Sequence, residues 1–389
     1  MKKIVTLVVV VLLITVGCSS VEKKSDTTLG FELDTVFGIK KDETEQIRID
    51  YSTHMVQDGK LLASKNETNL DYATEIVTKE LFLVDLNTQE QLLLKQFDHD
   101  IRVWDYVLIE DGFLYSTVEF IYYDHTQTSV LEFKVIENIA GVEKVLDKGT
   151  IFNPFTTPSF HFIDNVIYYG MQAIQYVDNA PTSMLIDIVR YENGKKENIF
   201  SIENSMTSTY YMDHGTEKLL TTELSKGDSS IGFFTHILGE NQSNVYIADK
   251  TGAYTKTTVE GLVTDLMVFE NRTIYQLITL TENEEVESVD YFDLKNSKPI
   301  TWEGYNDLVG RVVSMDENTL GFIGEGDPYL IHSDKKALKV YKVDYDEFND
   351  AELPFIYPVG PDKLLIVQYP DEFPLQLSLI KIKEVPVDQ

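Results

Sequence analysis

One hairpin pattern recurs seven times along the chain, and no other feature restricts the fold so tightly. An apolar stretch meets a tight polar turn, followed by a short apolar run that often ends in Tyr. The copies are HMVQDGKLLAS from His54, YVLIEDGFLYS from Tyr106, HFIDNVIYYG from His161 and YMDHGTEKLLTT from Tyr211. MVFENRTIYQL from Met267, VSMDENTLGFI from Val313 and YPVGPDKLLIV from Tyr357 complete the set. Their turns fall at Gly59, Gly112, Asn165, Gly215, Asn271, Asn318 and Pro361, about 50 residues apart, a period in the range of repeat folds. Helical periodicity is nearly absent after residue 30, and the 22 Tyr and 20 Phe suit a pleated, half-buried surface.

A second hairpin follows each of the first six, as in VDLNTQEQL after Leu83, VRYENGKKENI after Ile188 and FDLKNSKPI after Tyr291. Two hairpins per unit make four strands. Four-stranded units repeating at 40–50 residues resemble the β-propeller architecture over residues 30–389. No WD dipeptide or kelch signature recurs, so the resemblance reaches no named propeller family. The seventh unit lacks its fourth strand at the C-terminus. Phe31 to Phe37 alternates like a strand and has no hairpin partner. The expected fold is therefore all-β, a propeller of seven four-stranded blades closed by an N-terminal strand, which removes an open edge. A pair of β-sandwich domains would use the same hairpins but needs a dividing linker, and none interrupts the repeats.

The N-terminus reads as an address. Residues 1–18 are MKKIVTLVVVVLLITVGC: Lys2 and Lys3, then an apolar run from Ile4 to Val16, then Gly17 and Cys18. That run is too short to span a bilayer as a helix, which takes about 20 residues, and fits a signal-peptide core. The segment resembles the bacterial lipoprotein signal, although Thr15 stands where that family most often has Leu. The resemblance implies cleavage after residue 17 and a diacylglyceryl group on Cys18, the only thiol in the chain. Two acyl chains anchor stably where one is marginal. Residues 1–17 are then a signal peptide, 18–29 a flexible polar tether and 30–389 the propeller. The expected address is the extracytoplasmic face of the cell membrane, with the bilayer as a partner through lipid on Cys18.

Lys and Arg number 33 against 64 Asp and Glu, a net charge of −31. That field repels a polyanion, which excludes a nucleic-acid partner. A single Cys excludes a disulfide framework and any Cys-based zinc site. Asp98-His99-Asp100 alternates along a strand direction, so His99 would not share a side with the two Asp. No HExxH, EF-hand, P-loop or GxSxG pattern occurs, and the sequence names no metal, cofactor or catalytic residue.

In a propeller the segments joining second to third strands emerge at the same end as those joining blades. Here that set reads as long and aromatic: 64–79, 119–130, 172–183 and 223–243. Rigid scaffolds present function on such loops. The candidate ligand-binding residues are Tyr122, Tyr123, His125 and Tyr176, with His236 in the third of three consecutive units. Aromatic rings, an imidazole and the intervening Asp124 suit stacking and hydrogen bonding to a peptide, glycan or protein partner. Two functions follow: a lipid-anchored binding module, or a glycan-active hydrolase or lyase with carboxylates in the central funnel. The first needs only the aromatic loops and the tether. The second needs carboxylates brought together in space, which spacing in sequence does not establish.

Overall fold

The computed structural model describes residues 28–39, 42–43, 47–69, 76–123, 128–151, 159–163, 165–177, 180–208, 211–212, 217–218, 225–226, 229–237, 241–269, 272–280, 286–300, 310–316, 319–324, 327–333, 338–342, 355–360, 363–368 and 375–385. Among them there is no helix, and the strands form seven antiparallel sheets taken in chain order. The first sheet holds Ile47–Gln57, Lys60–Asn69, Ile76–Asp85 and Gln91–Gln96, with Asp42–Glu43 added beside its first strand. The second holds Val103–Ile109, Gly112–Tyr123, Thr128–Ile139 and Val142–Ile151. The third holds His161–Ile163, Val166–Val177, Ala180–Glu192 and Lys195–Ser208, extended by Tyr211–Met212.

In the fourth sheet, Glu217–Lys218 and Ser225–Lys226 both pair with Ser230–Ile237, followed by Gln242–Asp249 and Tyr254–Glu260. The fifth runs Leu262–Val268, Thr273–Leu280, Val286–Asp293 and Lys298–Pro299. The sixth runs Gly310–Asp316, Thr319–Gly324, Asp327–Ser333 and Leu338–Lys342. The seventh takes three strands from the C-terminus, Phe355–Gly360, Lys363–Gln368 and Leu375–Val385. Its fourth strand is Thr28–Ile39, which pairs along Leu375–Val385 from Thr28↔Val385 to Ile39↔Leu375. The N-terminal strand thus begins three residues before Phe31, where the sequence placed its start.

Local chemistry fixes the hairpins. Asp58-Gly59, Ala140-Gly141 and Asn193-Gly194 are two-residue turns with positive φ at both positions: 50° and 70°, 49° and 82°, 48° and 73°. Two successive positive φ values make the type I′ turn, whose twist matches that of paired strands. Glycine supplies the second value without a Cβ penalty.

The sheets pack face to face in sequence order, and each apolar cluster joins two of them. Leu61, Ala63 and Phe82 of the first sheet meet Tyr357, Leu365 and Leu377 of the seventh. Leu62, Leu81 and Leu83 point to the other side, against Tyr106 and Phe113 of the second sheet. Residues 61 and 62 thus serve opposite junctions, as the two-residue period of a strand requires. Leu114 and Phe133 pack on Tyr169 and Val189 at the next junction. Ile188 and Phe200 then pack on Phe233 and Tyr246, and Phe234 and Val245 on Leu266 and Tyr275. The fold is all-β and β-propeller-like.

Two sequence expectations are corrected. The hairpin placed around Gly215 does not form: Tyr211–Met212 pairs with the third sheet and Glu217–Lys218 with the fourth. The span 223–243, read as a connection, contains strands Ser225–Lys226 and Ser230–Ile237 and the start of the next. The other long connections are shorter too, because their β-branched and aromatic residues continue the strands. Pairing runs to Tyr123↔Thr128 and to Val177↔Ala180.

Candidate functional site

The two ends of the sheets differ in kind. At one end lie the turns inside the hairpins, including the two-residue turns at Asp58-Gly59, Ala140-Gly141 and Asn193-Gly194. At the other lie the ends of second strands and the segments between sheets. Tyr122 and Tyr123 close the second strand of the second sheet, opposite Ser129 and Thr128. Tyr176 stands at the equivalent place in the third sheet, opposite Pro181. The topology therefore brings these three backbone positions to the same end of adjacent sheets. His125 and Asp124, in the segment that follows Tyr123, lie outside the described residues, as does Cys18.

His236 sits one residue before the end of the equivalent strand in the fourth sheet, paired with Ser243. It is buried, and its ring meets Phe234 edge-on at 5.5 Å. Its Nδ1 lies 3.1 Å from Ser243 Oγ. That hydroxyl donates to Gly261 O at 2.7 Å and accepts from Val263 N at 3.1 Å, where the fifth sheet begins. Because the Ser243 proton goes to Gly261, the imidazole Nδ1 is the donor toward Oγ. His236 therefore faces the seam between two sheets instead of an open loop surface.

The first junction uses the same device with other residues. Val103 N, opening the second sheet, donates to Thr78 Oγ1 at 3.0 Å. Thr78 Oγ1 donates to Asn66 Oδ1, and Asn66 Nδ2 to Ser52 Oγ, both at 2.9 Å. Thr78 and Ser243 are both third-strand hydroxyls that receive an N–H from the start of the next sheet's first strand. Asn66 and His236 are the second-strand groups behind them.

A third polar group at this junction is the one that sequence reasoning missed. His54 Nε2 lies 3.0 Å from Ser64 Oγ, and its Nδ1 lies 3.5 Å from Asp105 Oδ1. The order serine, imidazole, carboxylate resembles that of a nucleophilic triad. Its surroundings give it another task. Ser64 is fully buried, so no substrate carbonyl reaches its hydroxyl. Both Asp105 oxygens already accept backbone N–H groups at 2.8 Å, from Tyr106 and from Phe160. Asp105 thus ties three sheets together, because Phe160 leads into the third. The His54 ring also lies against Tyr106, with centroids 4.9 Å apart. Tyr106 OH donates to Ala63 O at 2.9 Å and Phe82 O at 2.6 Å. Burial pushes its ionisation well above the usual phenol range. His54 and Asp105 stand about one repeat apart, so only the register of the sheets reveals that they meet.

Asp98-His99-Asp100 is an exposed stretch between the first two sheets. His99 Nδ1 bonds Asp98 at 2.8 Å and Lys79 reaches Asp100 at 3.3 Å. Among the described residues no cluster of three His, Cys, Asp or Glu is arranged to hold a metal ion. A cleft of about 300 Å³ opens at the two-residue-turn end, between the third and fourth sheets, lined by Asn165, Arg190, Glu192, Lys250 and Thr251. Its arginine is already engaged: Nε donates to Lys250 O at 2.9 Å and Nη2 to Glu192 at 2.6 Å. Burial opposes its charge, but Glu192 outweighs that and holds the guanidinium above its usual range.

No protein-family model matches the chain. No curated protein matches it either. Solved structures do resemble it at low identity. A polysaccharide lyase, Uly1, is 12% identical over 85% of this chain and 90% of its own, with a TM-score of 0.47. An oligogalacturonate lyase in complex with manganese is 11% identical over 92% and 98%, with a TM-score of 0.37. Hsv2 of Kluyvelomyces marxianus is 9% identical over 87% and 98%, with a TM-score of 0.42. Two of the three are lyases of glycans by name, and at this distance no residue role transfers from any of them.

Proposed function

We propose that the protein is a lipid-anchored, extracytoplasmic propeller of seven blades, closed by its N-terminal strand, that engages a glycan. The engaging surface is the end where second strands pass to third strands. One observation carries this reading: Tyr122, Tyr123 and Tyr176 occupy the same end of adjacent sheets, on paired strands whose register shifts only between Gln175 and Tyr176 near these positions. Aromatic faces stack on sugar rings, and their hydroxyls satisfy the sugar's own. The same tyrosines also suit a protein or peptide partner, the other class that such loops serve.

Bond cleavage at this end is the second reading. It is favoured by the sequence that follows the tyrosines directly, where Asp124 and His125 supply a carboxylate and an imidazole of the kind used in acid–base work on glycans. The test is electrophoresis of the full-length protein through gels containing cell-envelope or plant polysaccharides. Retardation by at least one polymer is expected, with loss of that retardation in Tyr122→Ala/Tyr123→Ala. New reducing ends after incubation would identify a hydrolase, and a new conjugated double bond a lyase. Migration unchanged by every polymer would overturn the glycan reading.

A further inference from the structure

Two arginines contrast. Arg190 is saturated: Nε donates to Lys250 O and Nη2 to Glu192, with Glu197 at 3.9 Å. Arg102 is not. Among the described residues no carboxylate, carbonyl or hydroxyl accepts from its guanidinium, which lies over the ring of Trp104, 5.7 Å from the centroid. Asp100, two residues earlier, is taken by Lys79 at 3.3 Å, and exposed Glu119 forms no ion pair with Arg102. Burial opposes the charge and pulls the ionisation of Arg102 below its usual range. A guanidinium has five N–H donors, and a half-buried one without acceptors is unfavourable.

The backbone around Arg102 is fixed from two sides. Ile101 O accepts Thr78 N of the first sheet at 2.6 Å, and Arg102 O accepts Val118 N of the second at 2.9 Å. Trp104 is the extra residue of a β-bulge. Val103 pairs with Thr117 and Asp105 with Ser116, so Trp104 has no partner across the strand. Bulges re-aim side chains and recur beside functional sites. This platform lies at the end that carries the tyrosines. Arg102 stands across from Val118, and the same strand continues to Tyr122, about 13 Å further on.

We propose that Arg102, stacked on Trp104, binds the carboxylate of an acidic sugar in the glycan engaged at this end. The inference rests on the glycan reading and names its substrate class, an oligosaccharide with an isolated carboxylate. A planar guanidinium matches a carboxylate through two parallel N–H···O bonds. One cation balances one negative charge. A ligand charged at every sugar is disfavoured, because the protein's own net charge of −31 repels a polyanion. The separation from Arg102 to Tyr122 exceeds one sugar ring, so the ligand spans at least two sugars.

Trp104 is one of two tryptophans, and Trp302→Phe leaves it as the sole indole reporter in the full-length chain. Its emission is titrated with tetrasaccharides that contain a single glucuronate or galacturonate, each beside its carboxyl-reduced form, and with tetragalacturonate. A response to at least one mono-uronate is expected, half-saturating about ten-fold below its reduced form, the value of one charge-assisted contact. Arg102→Met should abolish that difference without shifting the melting temperature, since the guanidinium holds no described group of the fold. Arg102→Lys keeps the charge without the fork and should retain part of it. Silence toward both mono-uronates, equal response to acid and reduced forms, or a difference that survives Arg102→Met would overturn the proposal. Tighter binding of tetragalacturonate than of both mono-uronates would overturn it as well. The two readings fail separately. Tyrosine-dependent gel retardation by a neutral polymer, with Trp104 silent to every uronate, removes the carboxylate site alone. An Arg102-dependent uronate response that survives Tyr122→Ala/Tyr123→Ala keeps the carboxylate site and removes the tyrosine surface.

Discussion

The junction between the first and second sheets and the junction between the third and fourth solve one problem with different chemistry. At the first, polar groups cross the seam: His54, Ser64 and Asp105 share contacts, and Tyr106 reaches two carbonyls of the neighbouring sheet. At the other, the seam is largely aromatic. Phe233 stacks on Tyr246 with centroids 4.9 Å apart and planes within 6°, and Phe200 meets both rings at 5.1 and 4.9 Å. Apolar contact is strong and tolerates sliding, whereas buried hydrogen bonds are modest in net energy and severe on misalignment. The first junction therefore specifies register, and the other supplies cohesion.

The largest effect should come from the aromatic seam. Phe233 is almost fully buried. Phe233→Ala removes a ring from contact with two others and should cost about 3–5 kcal/mol, by transfer and cavity terms together. Chemical denaturation read by far-UV dichroism measures it. A loss below about 1 kcal/mol would mean that the seam closes over the gap, contrary to the packing described here.

Asp105→Ala ranks next. It leaves the N–H groups of Tyr106 and Phe160 without the acceptors they now have, at 2.8 Å each, beside His54. The expected cost is about 2–4 kcal/mol, since an abandoned buried donor loses more than a hydrogen bond gains. Asp105→Asn keeps one acceptor oxygen and should cost less. Equal losses for the two variants would show that charge, and not acceptor geometry, governs the polar seam.

Tyr106→Phe keeps the ring and removes the donor to Ala63 and Phe82, for about 1–2 kcal/mol. The same hydroxyl makes the seam sensitive to alkali. Burial raises the folded-state ionisation of Tyr106, and that of Tyr115 and Tyr169 as well. A folded value above the unfolded one means that the contribution is full below the unfolded pKa, about 10, and is lost as pH rises beyond it. Ultraviolet titration should thus show some tyrosines ionising only together with unfolding, fewer of them in Tyr106→Phe. Smooth titration of every tyrosine in a folded chain would contradict the burial.

Much of this architecture was legible in the sequence, and the reason is local. Asp-Gly and Asn-Gly turns between alternating runs mark hairpins without tertiary information. Phe31 to Phe37 could be recognised as an unpaired strand for the same reason. Gly215 misled because it looks like those turns while its flanks pair in different sheets, a choice made by long-range contacts. His236 misled because a histidine near an expected loop reads as exposed, and only strand register shows it beside Ser243. The Ser64–His54–Asp105 contact was illegible, since its members come from three strands in two sheets.

That contact also carries the smallest expected effect and the sharpest chemical test. If Ser64 only completes a seam, Ser64→Ala removes one partner of His54 Nε2, and the remaining Asp105 contact still holds the ring. The stability loss should be about 1 kcal/mol, the typical net value of one hydrogen bond. Folded protein should not react with a fluorophosphonate probe, because Ser64 exposes no surface and attack needs the hydroxyl within reach of an electrophile. Labelling that is stoichiometric in the native chain and absent in Ser64→Ala would turn the seam into a nucleophilic site. Mass spectrometry of the probe adduct decides it, and reaction that appears only on denaturation would keep Ser64 in the polar junction.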